Sequence, residues 1–229
     1  MNTAQLDNPV WFSLSHHEAR FNAGDDQVKY FQKEVAPFLS SENWNAEDRK
    51  AMLQILPADR RFYVLIPRQI ELPHGFALIY TTPIIQMVCQ QFQPFLLKQQ
   101  DVFQLTTDDI ESMIDLTTRT QPGPFLQRTI EFGPYTGIKH HNLLAAMAGE
   151  RMHLDGFTEV SAVCTDPEYL GKGYASHLMS LVCQHIIERG ETPFLHVRTD
   201  NERAIKAYER LGFEKRTDVF FAIIQKKPI

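Results

Sequence analysis

The chain has 229 residues, 43% hydrophobic and 22% charged, a composition of folded globular proteins with room for one large or two small domains. A formal net charge of -5, with acidic and basic residues interspersed, gives neither the basic footprint nucleic acid requires nor a polybasic membrane segment. Small molecules are therefore the expected partners. The three cysteines, Cys89, Cys164 and Cys183, have no C-x-x-C spacing, so neither a disulfide framework nor a metal site is expected, and a reducing cytoplasm fits. Residues 1–14 lack a basic region followed by an apolar run, and the apolar stretch 76–88 is interrupted by Thr81, Thr82 and Pro83. No signal peptide and no membrane span are expected.

The character of the sequence changes near residue 100, which predicts an α/β domain over 1–100 and a second domain over 101–229. In the first, Arg61-Phe-Tyr-Val-Leu-Ile-Pro67 and Phe76-Ala-Leu-Ile-Tyr80 are rich in aromatic and branched residues and bounded by Pro or Gly, the mark of strands. The second opens with a short strand over 102–105 and a helix-opening cap at Thr106-x-x-Asp109. Ile110, Met113, Ile114 and Thr117 then recur at helical spacing, and Pro122-Gly-Pro124 ends the helix. Strands follow over 137–139 and 143–150, flanking His140-His-Asn142 as a hairpin, and Asp155-Gly156 turns into a strand over 158–165. Gly171-Lys-Gly-Tyr-Ala175 opens a helix with Ala175, Leu178, Met179, Val182 and Ile186 on one side, stopped at Gly190. A strand over 194–197, a helix over 201–211 ending at Gly212, and a strand over 219–224 complete the order β-α-β-β-β-α-β-α-β.

A strand that runs into a glycine-bearing turn and then a helix leaves backbone N–H groups unpaired at the helix start, which makes an anion site. Gly171 and Gly173 lack the Cβ that would hold a phosphate off, and Lys172 adds a cation. The Walker P-loop pattern fails, because Asp166 stands where its first glycine belongs and Gly173 follows the lysine. A dinucleotide fingerprint would need glycine at Ser176. By itself the glycine pair marks only a tight turn.

The surrounding residues carry more. Val163-Cys-Thr-Asp-Pro-Glu-Tyr-Leu-Gly-Lys-Gly-Tyr-Ala-Ser-His-Leu178 resembles the coenzyme A-binding segment of the GNAT acetyltransferase superfamily. Asn201-Glu-Arg-Ala-Ile-Lys-Ala-Tyr-Glu-Arg-Leu-Gly-Phe213 is similar to its second signature, N-x-x-A-x-x-x-Y-x-x-x-G-F. The resemblance covers the second half and is nearest the glycine N-acyltransferase-like branch. It implies a mixed-sheet acyl-CoA N-acyltransferase fold there, with residues 1–100 as a degenerate copy ahead of it. Glu168 and Leu170 depart from the pattern, since the family usually carries Arg or Gln at the first and often Arg at the second. The resemblance also implies acetyl-CoA as co-substrate and a small-molecule or peptide amine as acceptor. The contacts carried over are the backbone of Val163, Cys164 and Thr165 along the pantetheine arm, and Gly171, Lys172, Gly173, Tyr174, Ala175 and Ser176 around the diphosphate. Asn201 serves as cofactor contact or helix cap, and Arg210 as phosphate contact or solvated side chain.

Direct transfer needs a neutral amine, and an alkyl amine with pKa near 10.4 must lose a proton first. Glu159, on the strand beside the implied thioester, is the candidate base, directly or through water, with a solvent-exposed edge carboxylate as the alternative. Strict alternation would put Glu159, Ser161 and Val163 on one face and Val160, Ala162 and Cys164 on the other. Tyr208, protonated at neutral pH, is the candidate general acid for the departing thiolate, against a simple core role. The adjacent pairs His16-His17 and His140-His141 cannot easily chelate one metal from a strand, and no activating base accompanies Cys164. The alternative to an N-acetyltransferase is a catalytically silent acyl-CoA-binding or sensing domain.

Overall fold

The computed structural model describes residues 3–69, 71–72, 74–141 and 143–227. In chain order the elements are helix α1 (Pro9–Ser15), strands β1 (Val28–Tyr30) and β2 (Leu39–Ser41), helix α2 (Ala46–Ile55), and strands β3 (Arg61–Ile66) and β4 (Phe76–Cys89). They continue with β5 (Phe103–Leu105), α3 (Ile110–Thr120), β6 (Tyr135–His140), β7 (Leu143–Leu154), β8 (Phe157–Thr165), α4 (Tyr174–Glu188), β9 (Thr192–Arg198), α5 (Glu202–Arg210) and β10 (Phe213–Lys226). From β5 onward this is the order the periodicities predict. Of the expected hairpin turn His140-His-Asn142, Asn142 lies outside the described residues.

One eight-stranded mixed sheet runs β3-β10-β4-β9-β8-β7-β6-β5. Within it β8 and β9 pair in parallel, and the other neighbours are antiparallel. The sheet continues across residue 100. β4, from the first half, lies between β9 and β10 from the second, and β3 forms the far edge. The Thr81-Thr-Pro83 stretch does not end β4. It is where β4 outruns β9, whose pairing begins at Ile84↔Arg198, while β10 stays alongside. Pro83, which has no N–H to offer, keeps its carbonyl in use by accepting from Thr199 N at 3.2 Å.

The two faces of the sheet hold separate cores. Ile85, Met87, Ala146, Ala148, Leu195 and Val197 pack beneath α4 with Leu178, Met179 and Val182. On the other face α1 packs through Val10 and Leu14 onto Ile84, Met152 and Val219, and α3 packs through Met113 and Leu116 onto Tyr135, Met147 and Cys164. α4 and α3 are amphipathic at helical spacing, so burying one side of each follows from the order of their residues.

Glu18, in the turn after α1, is 3% exposed, with a carboxylate oxygen 4.0 Å from His153 Nε2 on β7. Burial pushes its carboxyl up from 4.5 to about 7, against the opposing charge of Arg20. The folded protein therefore holds a proton that the unfolded chain releases. The stability tied to that proton is fully present below pH 4.5 and is lost as pH rises through about 7. Glu18→Gln should leave the melting temperature unchanged at pH 4 and raise stability at pH 8 by about 2–3 kcal/mol in calorimetry; an equal shift at both pH values would contradict the protonation argument.

Candidate active site

β8 and β9 pair only at Phe157↔Thr192, Thr158↔Pro193 and Glu159↔Phe194, and then diverge. Past that vertex, Ser161, Ala162 and Val163 on one side are only partly covered, while on the other the His196 side chain is 5% exposed. A bulge against β7 helps to open the gap, because the register shifts between Met147 and Gly149, and Ala162 takes φ 52. A non-glycine residue with positive φ costs conformational energy that the surrounding structure must support. The bulge corrects the expected alternation of β8: Val160 and Val163 both belong to the α4 core, whereas Ala162 and Cys164 face α3.

After β8 the chain turns at Asp166, whose carboxylate accepts from Glu168 N at 2.9 Å and pairs with Arg119 of α3. Gly171 and Gly173 take φ 83 and 80, and Gly173 is the N-cap of α4 without a side-chain cap. Among the described residues, none of the main-chain amides of 171–176 finds an acceptor, and the first helical bond runs from His177 N to Gly173 O at 3.0 Å. Six N–H groups are therefore free beside a helix N-terminus, which suits a diphosphate. The loop is stiffened from behind: His140 stacks on Tyr169 at 4.7 Å, His140 Nε2 meets the Tyr174 hydroxyl at 2.8 Å, and Lys172 lies 4.6 Å over the Tyr169 ring.

Tyr208 packs against the α4 core, which also takes Val163 and Tyr174. Among the described residues its hydroxyl has no hydrogen-bond partner. Burial, with the neighbouring Cys164, pushes it up to about 12, so it stays protonated at neutral pH. Cys164 is buried, and burial pushes its thiol up to about 12, which makes it inert as a nucleophile. Thr165 Oγ1 is buried without a partner among the described residues. Asn201 caps α5 by accepting from Ala204 N at 3.2 Å, and Arg210 is exposed.

Glu159 stands at the vertex but is not the open carboxylate the sequence suggests. It is 0% exposed, accepts from Arg151 Nε and Nη2 at 2.7 Å each, and pairs with His196 Nδ1 at 2.7 Å. Burial alone would push its carboxyl up, but the charge and hydrogen bonds of Arg151, with those of His196, outweigh it and hold it down at about 2. A carboxylate so held is a poor proton acceptor.

His196 is the residue sequence reading missed. Gln86 Oε1 accepts from Arg216 Nη1 at 3.0 Å, so the Gln86 amide nitrogen serves as donor both to Leu6 O at 2.8 Å and to His196 Nε2 at 3.1 Å. These neighbours assign the tautomer, with the proton on Nδ1 facing Glu159 and the lone pair on Nε2. Along β9, Leu195 and Val197 enter the α4 core, so His196 faces the α1 side. The vertex thus has Tyr208 on one face of the sheet and the Glu159–His196 pair on the other. Among the described residues no group of three His, Cys, Asp or Glu side chains is placed to hold a metal ion.

Comparison with known proteins agrees with this geometry. Residues 135–222 match the family described as FR47-like protein. A crystal structure of a putative GNAT-family acetyltransferase from Novosphingobium aromaticivorans superposes with a TM-score of 0.89 at 30% identity, covering 97% of this chain and 99% of that one. A GCN5-related N-acetyltransferase from Kribbella flavida, at 14% identity and TM-score 0.64 over 98% of this chain and 97% of that one, shares the fold. Among curated relatives, mycothiol acetyltransferase of Mycobacteroides abscessus is 45% identical over 67 residues, 28% of this chain but only 22% of that protein. The [ribosomal protein bS18]-alanine N-acetyltransferase of Escherichia coli is 29% identical over 121 residues, 49% of this chain and 80% of that one. The chain belongs to the GNAT family of acetyltransferases.

Proposed function

We propose that this protein transfers an acetyl group from acetyl-CoA to a primary amine by direct attack in a ternary complex. The observation that carries the proposal is the run of free amides at 171–176 opening beside strands that part after Glu159↔Phe194. Acetyl-CoA supplies the activated thioester, and coenzyme A leaves as the thiol when the acetyl carbon–sulfur bond breaks and the carbon–nitrogen bond forms. The amides and the α4 N-terminus hold its diphosphate, with Lys172 adding charge. The unpaired β9-facing edge of Val163, Cys164 and Thr165 aligns the pantetheine arm as an added strand would. Tyr208 is assigned as general acid for the departing sulfur. The buried anion at Glu159 argues for moving the basic role one residue outward: Glu159 orients His196, and His196 Nε2 takes the amine proton, directly or through water. Gln86 must swing from Nε2 for this step.

The acceptor is a small-molecule or peptide amine, and the matched acetyltransferases support that breadth. Membership of the glycine N-acyltransferase-like branch rests on the two motifs alone. A cytoplasmic setting is in keeping with three free, buried cysteines.

The test combines thermal shift with thiol release. Acetyl-CoA at about 100 times its dissociation constant should stabilise the fold by about 2.7 kcal/mol, while NAD should not. Free thiol should then appear with at least one member of a panel of amines and peptide N-termini. Stabilisation by NAD alone would overturn the reading, and acetyl-CoA binding without thiol release across the panel would make the protein a sensing domain.

A further inference from the structure

Between β4 and β5, residues 90–101 form a strap without helix or strand that crosses α4 from the end of α5 to the diphosphate loop. Gln93 N donates to Leu211 O at 3.0 Å, Phe95 N to Ser180 Oγ at 2.8 Å, and Leu97 N to His177 Nδ1 at 3.2 Å. Phe92 and Leu97 pack into the α4 core. Between these anchors Phe95 and Leu96 stay 45% and 53% exposed. The Phe95 ring presses on the loop itself: a Cβ on Gly173 would lie 2.9 Å from its Cε1 atom. An exposed aromatic ring is thus held by neighbours in a fixed place beside the first free amides of α4.

We infer that Phe95, with Leu96, is the platform for the purine ring of the acyl-CoA nucleotide. This rests on the acyl-CoA reading of the loop and extends it to the half of the chain whose motifs carried no chemistry. A diphosphate seated on the 171–176 amides puts the attached nucleoside at the rim of the loop, where Phe95 presents apolar aromatic surface. Every base has a π-face, so stacking needs no further polar contact. The aromatic neighbours Tyr169 and Tyr174 are already engaged, the first with His140 stacked at 4.7 Å and Lys172 at 4.6 Å, the second buried with its hydroxyl 2.8 Å from His140 Nε2. The strap is pre-organised by its bonds to Ser180 and His177, so little ordering opposes binding.

Calorimetric titration of wild type, Phe95→Ala and Phe95→Tyr with CoA, adenosine 3′,5′-bisphosphate and 4′-phosphopantetheine tests the assignment. Phe95→Ala should weaken CoA and the bisphosphate by about tenfold and leave 4′-phosphopantetheine, which keeps a phosphate for the loop but has no purine, unchanged. Phe95→Tyr should bind all three as wild type does. An equal loss for all three ligands would mean that the strap merely props the loop, and no loss for CoA would mean that the purine lies elsewhere; either overturns the inference while the acyl-CoA reading stands. Wild type that binds none of the three overturns both.

Discussion

Phe in place of Tyr208 is expected to lower kcat by about 10²- to 10⁴-fold while leaving the dissociation constant of CoA unchanged, because the change removes one hydroxyl whose proton serves the departing sulfur. The ring stays in place against Phe213, at a centroid distance of 6.3 Å, so packing is preserved. The hydroxyl has no partner among the described residues, and a partnerless, partly buried donor costs the folded state free energy. Tyr208→Phe should therefore be neutral or slightly stabilising in the melting temperature, which separates a catalytic from a structural role. A variant with kcat within roughly threefold of wild type would remove Tyr208 from the chemistry. His196→Gln belongs in the same experiment. Glutamine still donates toward Glu159 but cannot accept the amine proton, so kcat should fall by a comparable factor if the imidazole is the base, with CoA affinity again intact.

How much of this site was legible in the residues depends on how local its signals are. The free amides of 171–176 and the α5 cap at Asn201 are made within a few residues of chain, where glycine conformation and capping chemistry speak directly. The element order after β5 is equally local, written in period-2 and helical spacing and in Gly190 and Gly212. The place of β4 is not: its partners in β10 lie more than about 120 residues away, and no short-range pattern records such a pairing. β10 reads as 219–224 because Glu214, Lys215, Arg216 and Asp218 mask the start of a strand that runs from Phe213. The Glu159–His196 pair escaped for the same reason as β4. Its members sit 37 residues apart and meet only through the register of two parallel strands. The face assignment along β8 failed at Ala162, where a bulge that nothing local announces shifts the alternation.

The largest stability effect is expected at Arg151. Its side chain is 9% exposed and its charge answers a carboxylate with no exposure at all. Arg151→Met keeps much of the bulk but strands Glu159 in a low-dielectric core, and breaking a buried pair from one side costs about 3–5 kcal/mol. Part of that loss is independent of pH, since the guanidinium also lies 4.8 Å over the Phe38 ring, a cation–π contact worth about 1–2 kcal/mol when desolvated. The remainder must follow the charge on Glu159. In wild type its carboxyl is held down at about 2 against an ordinary 4.5, so the stability it contributes is present above pH 4.5 and is lost as pH falls toward 2. Without Arg151, burial is the dominant influence and drives the carboxyl above 4.5, so the variant loses stability as pH rises through that new value. The gap between wild type and Arg151→Met should therefore be widest near pH 7 and narrow by pH 4 in urea unfolding. Adding Glu159→Gln to Arg151→Met should recover most of the pH-dependent part and none of the Phe38 part. A gap that is constant from pH 4 to pH 7, or a double variant no more stable than the single one, would show that the two side chains are not coupled as their 2.7 Å contacts imply.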